Sequence, residues 1–239
     1  MKKERPIIFS TPMVEAILEG RKTMTRRVIV PQPEYITGKG KRKMYCWKGG
    51  CFALDFFPNN STVLDHCPYG KPGDILWVRE TSQEKPAMGE HCGHCRMCKK
   101  FKGKYIYRAS FYHLGQEHSP CNYWKPSIHM KREAARIFLE VVSVRVERLN
   151  SITEADAKAE GVEKFNQCKT LYEDRIRNRI IACGGGAHPI VDCVDCDKYK
   201  NTSFKNGFMF LWETLNAKRG YSWNSNPWVW VVEFRRVKK

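Results

Sequence analysis

The chain has 239 residues, with 42 Lys and Arg against 25 Asp and Glu, giving a formal net charge of +17. That length allows one large domain, or a core domain with sizeable insertions, and is enough to bury most of the apolar surface. No run of about 18 apolar residues is present, which excludes a transmembrane helix.

The first residues, Met1 to Pro6, are charged but lack the apolar core and cleavage site of a signal peptide, so a cytoplasmic location is expected. Such excess positive charge repels itself and attracts polyanions, which points to nucleic acid or its building blocks as partner. An anionic membrane would call for a basic amphipathic anchor or a lipidation signal, and neither is visible.

Ile7-Ile8-Phe9 predicts a short buried strand. Ser10 or Thr11 can then cap a helix with Pro12 in its first turn, running through Val14, Ile17 and Leu18 to a stop at Gly20. Val28-Ile29-Val30 reads as a second strand, ended by Pro31 and Pro33. The stretch through Lys39, Lys41, Arg42 and Lys43 reads as an exposed loop. Pro72-Gly73-Asp74 turns into a strand at Ile75–Val78, and Tyr105-Ile106-Tyr107 is another.

Ala135 to Leu149 carries the longest β-rich pattern, with a slip in its alternation that predicts a bulge. Thr153 caps a short helix with acids in its first turn and Gly161 at its end. Phe208, Leu211, Trp212 and Leu215 recur at helical spacing before Gly220. Pro227 precedes a final strand from Trp228 to Val237. The sum is an α+β fold, a small barrel of short strands with peripheral helices, spanning 1–239 as one domain. Residues 85–104 and 163–203 read as two cysteine-bearing insertions in it.

Eleven cysteines in a reducing compartment point to metal ligation rather than disulfides. The first insertion contains His91-Cys92-Gly93-His94-Cys95-Arg96-Met97-Cys98, and the second Asp192-Cys193-Val194-Asp195-Cys196. Two Cys-x-x-Cys turns complete a tetrahedral zinc site, and the metal would stabilise insertions that have little core. The expected ligands of this structural zinc are Cys92, Cys95, Cys193 and Cys196; Cys98, His91 and His94 are the alternatives. Cys46, Cys51 and Cys67 with His66 make a second metal site or, more blandly, three unpaired buried thiols.

The segment Gly20-Arg21-Lys22-Thr23-Met24-Thr25-Arg26-Arg27 sets four cations among two threonine hydroxyls and reads as a basic turn facing an anion. It resembles the Gly-x-Lys-x-x-(Glu/Thr)-x-Arg signature of the ASCH domain, a PUA-like barrel. The resemblance extends over Phe9–Met13, Tyr69–Asp74, Leu76–Glu80, Lys125–Met130 and Tyr221–Trp228, about two-thirds of the chain, and is greatest to a phage- and prophage-encoded branch. The cysteine-rich insertions are not part of that signature.

Small bacterial ASCH enzymes deacetylate N4-acetylcytidine with a Lys–Thr–Glu set, and the resemblance carries those roles to Lys22, Thr25 and Glu80. Crowding by Arg21, Arg26 and Arg27 would lower the lysine pKa and make it a better base for the threonine hydroxyl. Glu80 would orient the lysine, or simply form an ion pair with it. Ser127 and His129 form a secondary constellation, His129 as a proton shuttle or a structural histidine. Trp124, Trp223 and Trp228 are candidates for base stacking, Trp223 foremost because Asn224 and Asn226 beside it can read base edges. Trp77, Trp212 and Trp230 read as core. A non-catalytic reader of modified or single-stranded nucleic acid, a ribonuclease and a phage structural role are the rival functions.

Overall fold

The two longest expected strands pair with each other and form the centre of the molecule. Both are rich in β-branched and aromatic residues, which suit a pleated surface packed on its faces. The computed structural model describes residues 2–37, 43–53, 61–84, 104–112, 124–164 and 203–238.

The first half contains β1 (Glu4–Ile8), α1 (Thr11–Leu18), β2 (Met24–Val28), β3 (Glu34–Thr37), β4 (Lys43–Trp47) and β5 (Gly50–Ala53). Then come α2 (Ser61–Asp65), β6 (Ile75–Arg79), β7 (Ser82–Glu84), β8 (Tyr105–Tyr107) and α3 (Arg108–Tyr112). The remainder is β9 (Phe138–Arg148), α4 (Glu154–Ala159), α5 (Phe204–Asn216) and β10 (Trp228–Val237).

One sheet has the order β1-β6-β9-β10-β2, with β1 and β6 parallel and the other neighbours antiparallel. β3, β4 and β5 form an antiparallel sheet, and β7 pairs with β8. The protein is therefore mixed α+β. Among the described residues the five-stranded sheet is open, with β1 and β2 at its edges. No helix there is long and apolar enough to cross a membrane.

β10 is covered on both faces. Trp228, Trp230, Val232 and Phe234 enter a core with Ile7, Leu76 and Val78, while Val229 and Val231 enter a second core with Leu149, Ala157, Phe208 and Trp212. The period of two along a strand produces this division. The bulge expected in β9 falls at Val142: Glu233 faces Ser143, yet Phe234 faces Val141. The extra residue is half exposed, and its insertion lets both Val141 and Val146 face inward.

Several expectations are corrected. The basic segment is not a turn throughout, because Met24–Val28 is β2 and pairs with Val229–Glu233 of β10. Arg26 can lie inside that strand because ion pairing, described below, replaces the water it loses. Lys43 begins β4 instead of lying in a loop. Trp77 is not core: strand alternation buries Leu76 and Val78 and leaves Trp77 half-buried under the Arg79 guanidinium. Cys46 and Cys51, directly opposed across β4 and β5, form a disulfide, so they are neither free thiols nor metal ligands.

Candidate functional site

The site is built where the ends of two short helices meet β2. After α1 the chain reverses through Gly20, at φ +78°, and the amides of Arg21 and Lys22 both donate to the Ala16 carbonyl at 2.8 and 3.0 Å. Thr23 N–H donates to Ala159 O at 2.9 Å, and Lys22 bridges to Glu160 just beyond α4. The Thr153 hydroxyl caps α4 by accepting from Asp156 N–H at 3.1 Å. Gly161 ends the helix at φ +79°, and a Cβ there would lie 2.7 Å from Lys22 Cβ and 2.9 Å from Ala16 Cβ. Only glycine satisfies both the backbone and the space.

This zipper buries a charged pair. Lys22 Nζ donates to the Glu160 carbonyl at 2.7 Å and to Glu160 Oε2 at 2.8 Å, with the two side chains 2% and 3% exposed. Burial pushes the Lys22 pKa below its ordinary 10.5; Glu160 opposes that change, while Arg27 and Arg26 reinforce it. The Arg26 side chain is fully buried and held by Asp156 at 2.8 Å and Glu147 at 3.2 Å, with Glu160 Oε1 3.6 Å away. Glu160 Oε1 itself has no hydrogen-bond partner among the described residues.

Lys22, Thr25 and Glu160 line a cavity of about 530 Å³. That volume lies in the range that holds small organic ligands. Its polar lining comes from these residues with Arg26, Arg27 and Ser127, and its aromatic and aliphatic lining from Phe9 and Tyr69 and from Phe208, Leu211 and Trp212 of α5. Phe9 lies near two cations, its ring centroid 5.5 Å from Lys22 Nζ and 5.2 Å from the Arg27 guanidinium carbon.

The structure brings Lys22, Thr25, Arg26, Arg27 and Ser127 together on this cavity. Glu80 is not among its lining residues. Its carboxylate is 1% exposed and takes a bidentate ion pair from Arg136, at 2.8 and 2.9 Å, so Lys22 finds its carboxylate in Glu160 instead. Arg21 points elsewhere, donating to Glu19 and to the Gly161 carbonyl. His129 is exposed in a short 3-10 turn and does not line the cavity.

Trp223 packs its ring edge on Phe208 from outside the cavity, and Asn224 is exposed. Asn226 adopts φ +43° and accepts from Asn150 N–H, a connection inside the fold. Trp228 is buried beneath the Arg148 guanidinium, and Trp124 is absent from the cavity lining. Trp212 is core as expected but also forms cavity wall.

Cys92, Cys95, Cys193 and Cys196 lie outside the described residues, as do His91, His94, Cys98, Lys99, Lys100 and Lys102. Lys104 pairs with Glu84 at 3.1 Å. The second metal site is not formed: Cys46 and Cys51 are oxidised, and no metal-holding group of His, Cys, Asp or Glu occurs among the described residues. Cys67 is a buried free thiol whose pKa burial raises to about 11, and His66 contacts the Thr62 carbonyl.

Sequence reasoning missed Glu160, Tyr69, Asn216 and Arg219. Glu160 did leave a signal, because it is an acid at a helix C-terminus, where the helix dipole disfavours negative charge. Compared with protein-family models, curated proteins and solved structures, the chain gives no match.

Proposed function

We propose that the chain is an ASCH-type, PUA-like protein that binds a cytosine nucleoside or nucleotide and hydrolyses an acyl group from its N4 amide. The observation that carries this reading is a buried lysine of lowered pKa sharing a ligand-sized cavity with a threonine hydroxyl. The mixed sheet and the resemblance at Gly20–Arg27 support it. In this reading Glu160 takes the role first carried to Glu80, since it hydrogen-bonds the lysine directly.

The neutral Lys22 amine accepts the Thr25 hydroxyl proton as Oγ1 attacks the acyl carbonyl. The tetrahedral adduct collapses with cleavage of the carbonyl–N4 bond, and Lys22 returns the proton to the departing nitrogen. Water then hydrolyses the threonine ester, releasing the carboxylic acid and restoring the hydroxyl. Glu160 orients Lys22 throughout.

The test is release of acetate and cytidine from N4-acetylcytidine. Thr25→Val removes the hydroxyl at nearly constant volume and abolishes turnover, whereas Thr25→Ser retains part of it. Turnover climbs with pH along a limb set by loss of the Lys22 proton, centred below 10.5. Absence of turnover on acylated nucleosides and oligonucleotides sinks the enzymatic reading.

A non-catalytic reader is the second reading, favoured by the two hydrogen bonds that hold Lys22 Nζ to Glu160. It predicts salt-dependent binding of single-stranded nucleic acid without turnover. A structural zinc on Cys92, Cys95, Cys193 and Cys196 belongs to the same proposal, on spacing alone. Elemental analysis of purified protein is expected to give one zinc per chain.

A further inference from the structure

The cations of the cavity fall into two kinds. Lys22 and Arg26 are neutralised by Glu160, Asp156 and Glu147. Arg27 and Arg219 line the same cavity, yet neither forms an ion pair with a carboxylate among the described residues. Arg27 donates only to the Ile8 carbonyl, and its Nε is buried without a partner. Arg219 reaches only Asn216 Oδ1, at a long 3.4 Å. Arg27 is half-buried and Arg219 exposed, so neither charge is consumed inside the fold, and these two guanidiniums are the cavity groups with charge to spare for a ligand.

Local structure sets where each enters the cavity lining. Arg27 lies on β2 against the Phe9 ring, 5.2 Å from its centroid. Arg219 closes the 3-10 turn Ala217–Arg219 after α5, which Gly220 terminates at φ +84°. Tyr69 joins them on the lining, carried by a turn in which Asp74 accepts from Lys71 and Lys3 N–H at 3.1 and 2.9 Å. A Cβ on Gly70 would lie 2.7 Å from Asp74 Oδ2, so this turn admits no side chain there.

We infer that Arg27, Arg219 and Tyr69 form a phosphate subsite, so that the ligand is a phosphorylated cytosine nucleotide rather than a free nucleoside. Two guanidiniums and a phenol hydroxyl offer donors from several directions, which suits a tetrahedral phosphate. Burial raises the Tyr69 pKa and keeps the phenol protonated as a donor, while Arg27 and Arg219 lie near enough to oppose that rise. The identity of the base rests on the proposed function; the phosphate subsite stands on the unmatched arginines.

Titration calorimetry with cytidine, cytidine 5′-monophosphate and a short cytosine-containing single strand tests the inference. The monophosphate is expected to bind about tenfold or more tightly than cytidine, as charge-assisted hydrogen bonds imply. Arg219→Ala narrows that gap, and Tyr69→Phe narrows it less. A strand that binds as tightly as the monophosphate identifies a backbone phosphate, and a weaker strand identifies a terminal one; both support the subsite. Equal affinity for cytidine and its monophosphate overturns the phosphate inference and leaves the cytosine reading intact. Adenosine 5′-monophosphate, titrated in parallel, removes the cytosine reading and supports the subsite if it binds as tightly as cytidine 5′-monophosphate. If none of these ligands binds, both fall.

Discussion

Two ion pairs built on buried glutamates differ in completeness. Glu80 is 1% exposed and has both carboxylate oxygens matched by Arg136, which also donates to the Ser110 hydroxyl at 2.6 Å and stacks 4.0 Å over Tyr107. Glu160 is 2% exposed and holds Lys22 with one oxygen, while the other has no hydrogen bond. The first pair lies outside the cavity lining, and the second lies on it. A buried charge pair with every group satisfied fixes structure. One with spare bonding capacity beside a ligand-sized space is available for chemistry.

Exchanging one partner in each pair should separate these roles. Of these pair exchanges the larger effect is expected from Glu160→Gln, which disturbs the hydrogen bond orienting Lys22 and lowers turnover of N4-acetylcytidine by about 10²- to 10⁴-fold. Glu80→Gln, measured beside it, should lose much less turnover relative to its folded fraction. An equal loss in both would erase the proposed distinction. Arg136→Ala leaves Glu80 buried and unpaired, and is expected to cost about 3–5 kcal/mol in urea unfolding.

Gly161→Ala sharpens the contrast by moving the backbone under Lys22 without altering any charge. With φ at +79° and Lys22 Cβ at 2.7 Å, the strain is expected to lower stability by about 1–3 kcal/mol. It should also depress turnover more than a Glu80 change of equal stability cost. The smallest effect is expected from Thr153→Ala, which uncaps α4 and costs about 1 kcal/mol in thermal unfolding. Because α4 delivers Glu160, that loss is expected to show first as a weaker pH dependence of turnover.

Much of the local structure was legible in advance. The capped α4, the glycine stops of α1 and α4, the bulge in β9 and the final strand all followed from nearest-neighbour chemistry. The arginine-rich segment misled because charge in a sequence usually means solvent. Arg26 instead lies buried in β2, neutralised by Asp156 and Glu147, residues more than a hundred positions away. Trp77 misled in the opposite way, since an aromatic in a strand can face either side.

For the proposed site, the sequence offered a local motif at Gly20–Arg27, and the resemblance that motif carries put forward Lys22 and Thr25 as base and nucleophile. Lys22 and Thr25 needed no fold to be singled out. Only the tertiary structure decided that the carboxylate is Glu160 and not Glu80, and that Tyr69 and Arg219 share the cavity. Such pairings depend on which parts of the chain the fold brings together, and a separation of 138 positions between Lys22 and Glu160 leaves no trace of that in either one's neighbourhood.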